Sequence, residues 1–322
     1  MTIADVHFAI GKTHKVCEDY AESGAIWLSS EPMTAQALLD NPDLVRRFAI
    51  VADGCSSSPN TDFGARLLVR AAISEFDECN DQEDDPLLRP TAIILKANEW
   101  RRSLDLPSTS LDATLVVVVE NGDHNAEVFL AGDGVIAARR RDGSGIDYWV
   151  VECSHNAPTY LSYLLEPQSD EEPRLKALQN FGGGVRTVEH YAPDRDTIRE
   201  EDRFWATLLT DEQDDSESYA LHWTFDREAY DVVVGMTDGV QSFQRRVDTR
   251  FERVPLDEVL SHIMSFKQTT TGFVQRRVGR FLSKHCIKND WSHTDDLAVA
   301  GMALDEASED EQNMLRDLWE TP

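Results

Sequence analysis

Three short apolar runs in this chain stop at the same dipeptide. FAIVADG (Phe48–Gly54), VFLAGDG (Val128–Gly134) and VVVGMTDG (Val232–Gly239) each end in Asp-Gly. A fourth, HTDDLAVAGM (His293–Met302), inverts the order, with Asp295 and Asp296 leading into the apolar residues. Runs this short, rich in Val, Ala and Ile and bounded by turn residues, predict buried strands with a carboxylate at the strand end. A single Asp-Gly pair is an ordinary turn, because both residues tolerate turn backbone angles. Several carboxylate-tipped strands in one chain constrain it further. If their ends converge, the like charges raise one another's pKa and protonate unless a cation compensates them. A divalent metal site is the economical expectation.

The 322 residues are 41% hydrophobic and 28% charged, a globular composition long enough for one large domain or two smaller ones. No stretch reaches the roughly 20 apolar residues of a membrane helix. The opening MTIADVHFAIGK lacks the basic-then-apolar layout of a secretory leader. Cys17, Cys55, Cys79, Cys153 and Cys286 form no CxxC pair and leave an odd thiol, which suits a reducing cytoplasm better than a disulfide framework. None has an Arg six positions later, so the phosphate loop of cysteine-nucleophile phosphatases is absent. The formal charge of -28 is partly gathered in runs at 81–85, 169–172, 211–217 and 305–311, most simply solvated loops and helix ends. A field of that sign argues against nucleic acid and anionic membranes as partners and is compatible with basic protein substrates.

Along the chain, strands are expected near Val6–Ile10, Ala25–Leu28 and Phe48–Ala52. A helix over Gly64–Cys79 follows, with Leu67, Leu68, Ala71, Ala72 and Phe76 at helical spacing. Pro86 is expected to open a second helix running to Leu104. Ala113–Glu120, Glu127–Ala131, Val135–Arg140 and Tyr148–Cys153 read as a meander of antiparallel strands, with an Asn121–Asp123 turn. Residues 154–225 read as irregular, a candidate lid or insertion containing Gly182–Gly184. Tyr230–Met236, a helix pair (Leu256–Phe266 and Thr271–Cys286) and a last strand at Leu297–Ala303 complete a domain over 1–304. Residues 305–322 are left as an acidic tail or short helix. Helices fall in pairs between blocks of strands without βα alternation, which predicts an α+β fold.

The ordered motifs resemble those of the PP2C-type (PPM) metal-dependent protein phosphatases, in particular their prokaryotic branch. CEDY (Cys17–Tyr20) resembles the family's early acidic pair, and VADG (Val51–Gly54) its central Asp-Gly. LDAT (Leu111–Thr114) is similar to the stretch opening the next strand, and LAGDG (Leu130–Gly134) to the Gly-Asp motif. MTDGVQSF (Met236–Phe243) and HTDDLAVAGM are similar to the two closing Asp motifs. The resemblance implies a four-layer αββα sandwich, two antiparallel sheets flanked by helix pairs. It also implies hydrolysis of phosphoserine or phosphothreonine on proteins, with a cognate kinase as counterpart, by a water activated by two or three Mg²⁺ or Mn²⁺ ions. Such ions favour oxygen ligands, and a pair of them acidifies and aims a water at phosphorus.

By the same resemblance Asp53 would bridge two ions, the Gly54 carbonyl would bind one, and Asp238 and Asp295 would complete the other. Glu18 and Asp19 would hold ligated waters, Asp133 would serve a third ion, and Asp296 would orient Asp295. Three departures stand out. His14 occupies the place of the family's phosphate-docking Arg, so it is expected to assist phosphate binding or to be a surface residue near a turn. Cys55 stands where eukaryotic relatives have a His, and SSSPNTDFG (Ser56–Gly64) replaces the usual Gly-Gly. CSH (Cys153–His155) and KHC (Lys284–Cys286) lack a partner pair at zinc-ligand spacing. The basic islands Arg245–Arg250 and Gln275–Arg280 read as solvated helix faces, salt-bridge partners or, for the first, a recruiter of phosphorylated substrates. Two rivals to the enzyme remain: a catalytically silent binding module of the same fold, and a hydrolase of small phosphoesters.

Overall fold

The computed structural model describes residues 2–27, 45–78, 88–121, 125–165, 185–203 and 220–304. The acidic runs, the Gly182–Gly184 stretch, most of the Asn121–Asp123 turn and the 305–322 tail lie outside these residues. The first half contains strands β1 (Ile3–Ala9), β2 (Tyr20–Trp27) and β3 (Val45–Gly54), then helices α1 (Thr61–Glu78) and α2 (Pro90–Ser103). Strands β4 (Ala113–Glu120), β5 (Ala126–Ala131), β6 (Gly134–Arg140) and β7 (Ile146–Cys153) follow, then β8 (Val185–Ala192) and β9 (Arg195–Arg203). The remainder is β10 (Leu221–Phe225), β11 (Tyr230–Met236), β12 (Phe243–Val247) and β13 (Arg250–Arg253), helices α3 (Leu256–Ile263) and α4 (Phe273–Arg280), and β14 (Trp291–His293) and β15 (Leu297–Ala303).

Alternation along the central strands explains the layers. In β3, Phe48, Ile50 and Ala52 join one core, with Leu68, Ala72 and Phe76 of α1 and Ile93 and Ala97 of α2. Ala49 and Val51, pointing the other way, join a second core with Ile136, Val233, Ala298 and Met302. On the far side, Val232 and Val234 of β11 and Val299 of β15 meet Val259 and Ile263 of α3 and Val274 of α4. Strands apolar on both faces can be buried only between two further layers. The result is a four-layer αββα sandwich. One sheet has the order β10-β5-β4-β3-β2 and the other β1-β15-β11-β6-β7-β8-β9, with β13-β12-β14 as a small third sheet.

Register brings the motif carboxylates to one end. In the first sheet Asp53 pairs with Thr114 at the start of β4, and Leu115 pairs with Ala131, the last residue of β5. In the second, Met236 at the end of β11 pairs with Val135 near the start of β6 and with Val299 near the start of β15. The segments carrying Asp53, Asp133, Asp238 and Asp295 therefore leave their sheets at the same edge of the sandwich.

Three expectations are corrected. The second helix starts at Pro90, not Pro86: Arg89 is extended at φ -111, and Pro90 occupies the first helical position where a missing N–H costs nothing. Within 154–225, the described residues include the β8–β9 hairpin, which extends the seven-stranded sheet, and β10, which edges the other. β9 is an edge strand, and its charged sequence RDTIREEDR hides the strand period because an edge needs no second apolar face. Arg245–Arg250 belongs to the β12–β13 hairpin rather than a helix, turning at Asp248 with φ 54. Among the described residues no helix is long and apolar enough to cross a membrane.

Candidate active site

Asp19 follows the loop before β2 and is fully buried. Its Oδ2 accepts a bond from the Thr237 hydroxyl at 2.9 Å, and the same Thr237 oxygen receives the Ala298 N–H at 2.9 Å. Oδ1 of Asp19 has no donor. Its neighbour is another carboxylate, Asp53, which in turn contacts Asp238. Asp133 is held by the Thr114 hydroxyl at 2.9 Å. Gly132, before it, has φ +104, and a Cβ there would come within 2.4 Å of that hydroxyl, so the turn needs glycine.

Asp296 is a positioning residue. Its carboxylate accepts the backbone N–H of Gly11 and of Glu18, each at 2.6 Å, and so fixes the loop that delivers Asp19. The ring of His14 lies between Asp295 Oδ1, at 3.3 Å from Nε2, and Asp296 Oδ2, at 3.1 Å from Nδ1. Glu18 meets the Thr61 hydroxyl at 3.3 Å, where α1 begins. The backbone N–H of Gly54 reaches the Glu18 carbonyl at 3.3 Å. Asp112, buried, receives the hydroxyls of Ser58 at 2.8 Å and Ser162 at 2.7 Å. It thereby anchors the loop that replaces the usual glycines.

Electrostatics follow from this crowding. Burial, above all, pushes Asp19 up to about 8, assisted by Asp296 and Asp238 and opposed by Thr237. Burial and then Asp19, Asp238 and Asp133 raise Asp53 well above the usual carboxylate range. Asp133 is pushed up to about 7 by burial and by Asp238. Asp238 is raised by burial and by Asp295, while Arg253 offsets part of the push. For His14, burial opposes the charge, but Asp296, Asp295 and Glu18 outweigh it and raise the pKa. Carboxylates this close cannot all ionise together unless positive charge compensates them.

Divalent cations fit the donors that are present. The ligand-type atoms at the centre are oxygens, which suits Mg²⁺ or Mn²⁺ better than a thiolate-seeking metal, and the buried Asp19 Oδ1 lacks any donor. Among the described residues no three His, Cys, Asp or Glu side chains form a ready-made ion cage. The fit is one of donor chemistry, charge and burial.

Beside this centre lies a cleft of about 550 Å³ lined by Asp133, Asp238, Asp295, Gln241, Cys153 and Arg253, among others. Among the described residues, His14, Glu18, Asp19 and Asp53 do not line it. Arg253 does, and sequence reasoning missed it. Its signal was weak: a lone Arg just beyond the Arg245–Arg250 island, brought to the cleft by a hairpin with no apolar pattern.

Gly239 sets how closely two motif segments approach. A Cβ there would fall 1.6 Å from the Asp296 carbonyl oxygen. Gly239→Ala is expected to force Asp238 and Asp296 apart and to destabilise the fold by about 1–3 kcal/mol or more. Thermal melting indistinguishable from the parent would contradict that packing.

A protein-family model described as Protein phosphatase 2C matches residues 39–283. Two solved structures of a bacterial serine phosphatase, one of them a point mutant, are similar to this chain. Each has a TM-score of 0.50 and 10% identity and covers 96% of this chain and 100% of its own. A serine/threonine phosphatase from S. agalactiae has a TM-score of 0.45 and 12% identity, covering 95% of this chain and 100% of its own. At such identity the likeness to the bacterial serine phosphatase establishes the fold alone. No curated protein matches the sequence significantly.

Proposed function

Because the chain belongs to the protein phosphatase 2C family, we propose that it hydrolyses phosphoserine or phosphothreonine on protein substrates with divalent metal at the Asp53 centre. The observation that carries this reading is the cluster of buried Asp19 with half-buried Asp53, Asp133 and Asp238, whose carboxyls are all raised by burial and by neighbouring carboxylates. Members of the family use divalent metals such as Mg²⁺ or Mn²⁺.

Asp53, Asp238 and Asp19 would hold the ions, with Asp133 and Asp295 at the cleft side and the Gly54 carbonyl as a further oxygen donor. Ions bound there would polarise the phosphoryl oxygens and acidify an attacking water. The chain's own residues prepare that chemistry. Thr237 orients Asp19, Thr114 orients Asp133, and Asp296 ties the Gly11–Glu18 loop to β15. His14, with both ring nitrogens toward carboxylates, positions Asp295 and Asp296 and adds positive charge behind them. Glu18, at the mouth of α1, shares the Thr61 hydroxyl with the Cys55 carbonyl and sets the height of the loop over the centre. The substrate would be met from a cytoplasmic location, opposite a protein kinase.

The test is hydrolysis of p-nitrophenyl phosphate and of a phosphothreonine peptide in Mn²⁺ and in EDTA. Metal-dependent turnover of both is the expected result. Turnover of the small ester alone would move the protein to the small-phosphoester class, and turnover of neither would leave a binding module.

A further inference from the structure

The acidic centre raises a question of charge: a phosphate dianion entering the cleft meets Asp133, Asp238 and Asp295 on its walls. His14, the residue at the family's docking position, faces away into Asp295 and Asp296. Among the described residues lining the cleft, Arg253 is the one cation. It ends β13, a strand whose four residues are all exposed, so nothing in the core requires it. Among the described residues it forms no ion pair with a carboxylate.

Its guanidinium is nonetheless held. Nε donates to the Gln241 carbonyl at 2.9 Å and Nη2 donates to Gln241 Oε1 at 3.1 Å. Gln241 closes the short helical turn Asp238–Gln241, so one turn of backbone sets the place of both the Asp238 carboxylate and the Arg253 fork. A guanidinium has five N–H donors. Two are used on Gln241, and the rest remain for an acceptor in the cleft.

We propose that Arg253 is the phosphoryl-binding residue of this site, held by Gln241 and engaging the substrate's phosphate oxygens in the cleft with its remaining N–H groups. The inference rests on the phosphatase reading and goes beyond it by assigning the contact that receives the phosphate. Planar paired donors suit phosphate oxygens better than an ammonium does. An interaction kept from ground state to transition state appears in KM more than in kcat. A second cavity of about 330 Å³, bounded by Tyr148, Tyr191, Glu189 and Asp257, also borders Arg253. It supplies the rival role, in which Arg253 reads the peptide rather than the phosphate.

The experiment titrates inorganic phosphate into the Mn²⁺-loaded protein by calorimetry. It also measures KM and kcat on p-nitrophenyl phosphate and on a phosphothreonine peptide, for the parent, Arg253→Ala and Arg253→Lys. Arg253→Ala is expected to weaken phosphate binding and to raise KM on both substrates by the same factor, about 10–100-fold, the scale of losing charge-assisted hydrogen bonds. Bound Mn²⁺ and thermal melting should stay at parent values, and Arg253→Lys should recover only part of the loss. Unchanged phosphate affinity in Arg253→Ala overturns the proposal while an active parent preserves the phosphatase reading. A KM rise on the peptide alone assigns Arg253 to the second cavity and also overturns it. Loss of Mn²⁺ would show that Arg253 acts through Asp238, again against the proposal. If the parent lacks phosphatase activity, that reading falls, and the phosphate titration still decides whether Arg253 binds the anion.

Discussion

Asp53→Asn is expected to lower turnover by about 10³-fold or more while leaving the fold intact. Asp53 is the carboxylate that touches both Asp19 and Asp238. The amide keeps the shape and loses the charge that would hold cations there. Its N–H can also donate to Asp19 Oδ1, which lacks a donor in the parent. The variant should therefore melt no lower than the parent in EDTA, even though its activity is gone. Full turnover with unchanged metal content would remove Asp53 from the centre.

The second large effect concerns the protein stripped of metal. An unfolded Asp titrates near about 3.9, whereas burial, with Asp296 and Asp238 nearby, pushes Asp19 up to about 8 against the hydrogen-bonding contacts of Asp53 and Thr237. Between those values the folded state binds more protons than the unfolded one, so stability must fall as pH rises. The contribution is fully present below about pH 4 and is lost through about pH 8; Asp133, pushed up to about 7, adds to the same slope. In EDTA the melting temperature is thus expected to drop steadily from about pH 5.5 to about pH 8. Mn²⁺ should raise it most at the alkaline end, where the carboxylates are ionised and ready to bind. Asp19→Asn should flatten the EDTA curve. A melting temperature independent of pH in EDTA would mean that these carboxyls are not crowded.

Much of this was open to reading along the chain. The last strand, Leu297–Ala303, and the strand Ala113–Glu120 have the bounds expected from apolar run and turn residues, because strands buried on both faces are legible as unbroken apolar segments. The helix at Thr61–Glu78 differs from its expected range by a few residues at its start, where the polar turn shades into the first helical turn. The β8–β9 hairpin and the β12–β13–β14 sheet were not legible. Their sequences are rich in charged residues, as in RDTIREEDR of β9 and RFER of β13, and such strands leave no apolar period in the chain itself.

The site divides along the same line. Local chemistry was enough to single out Asp53, Asp133, Asp238 and Asp295, since a carboxylate closing or opening a buried strand is a signal carried by adjacent residues. Which of them touch was a matter of register: pairing of Asp53 with Thr114 and of Met236 with Val135 brings two sheets' ends together, and no segment contains that information alone. The same is true of His14, whose neighbours Asp295 and Asp296 lie across the whole length of the chain, and of Arg253, which reaches the cleft only because Gln241 holds it there. Residue type and short-range pattern determined the strands and the acids at their ends. Long-range pairing and packing decided which charges share one low-dielectric space, and that sharing raises the carboxyl pKa values of Asp19, Asp53, Asp133 and Asp238.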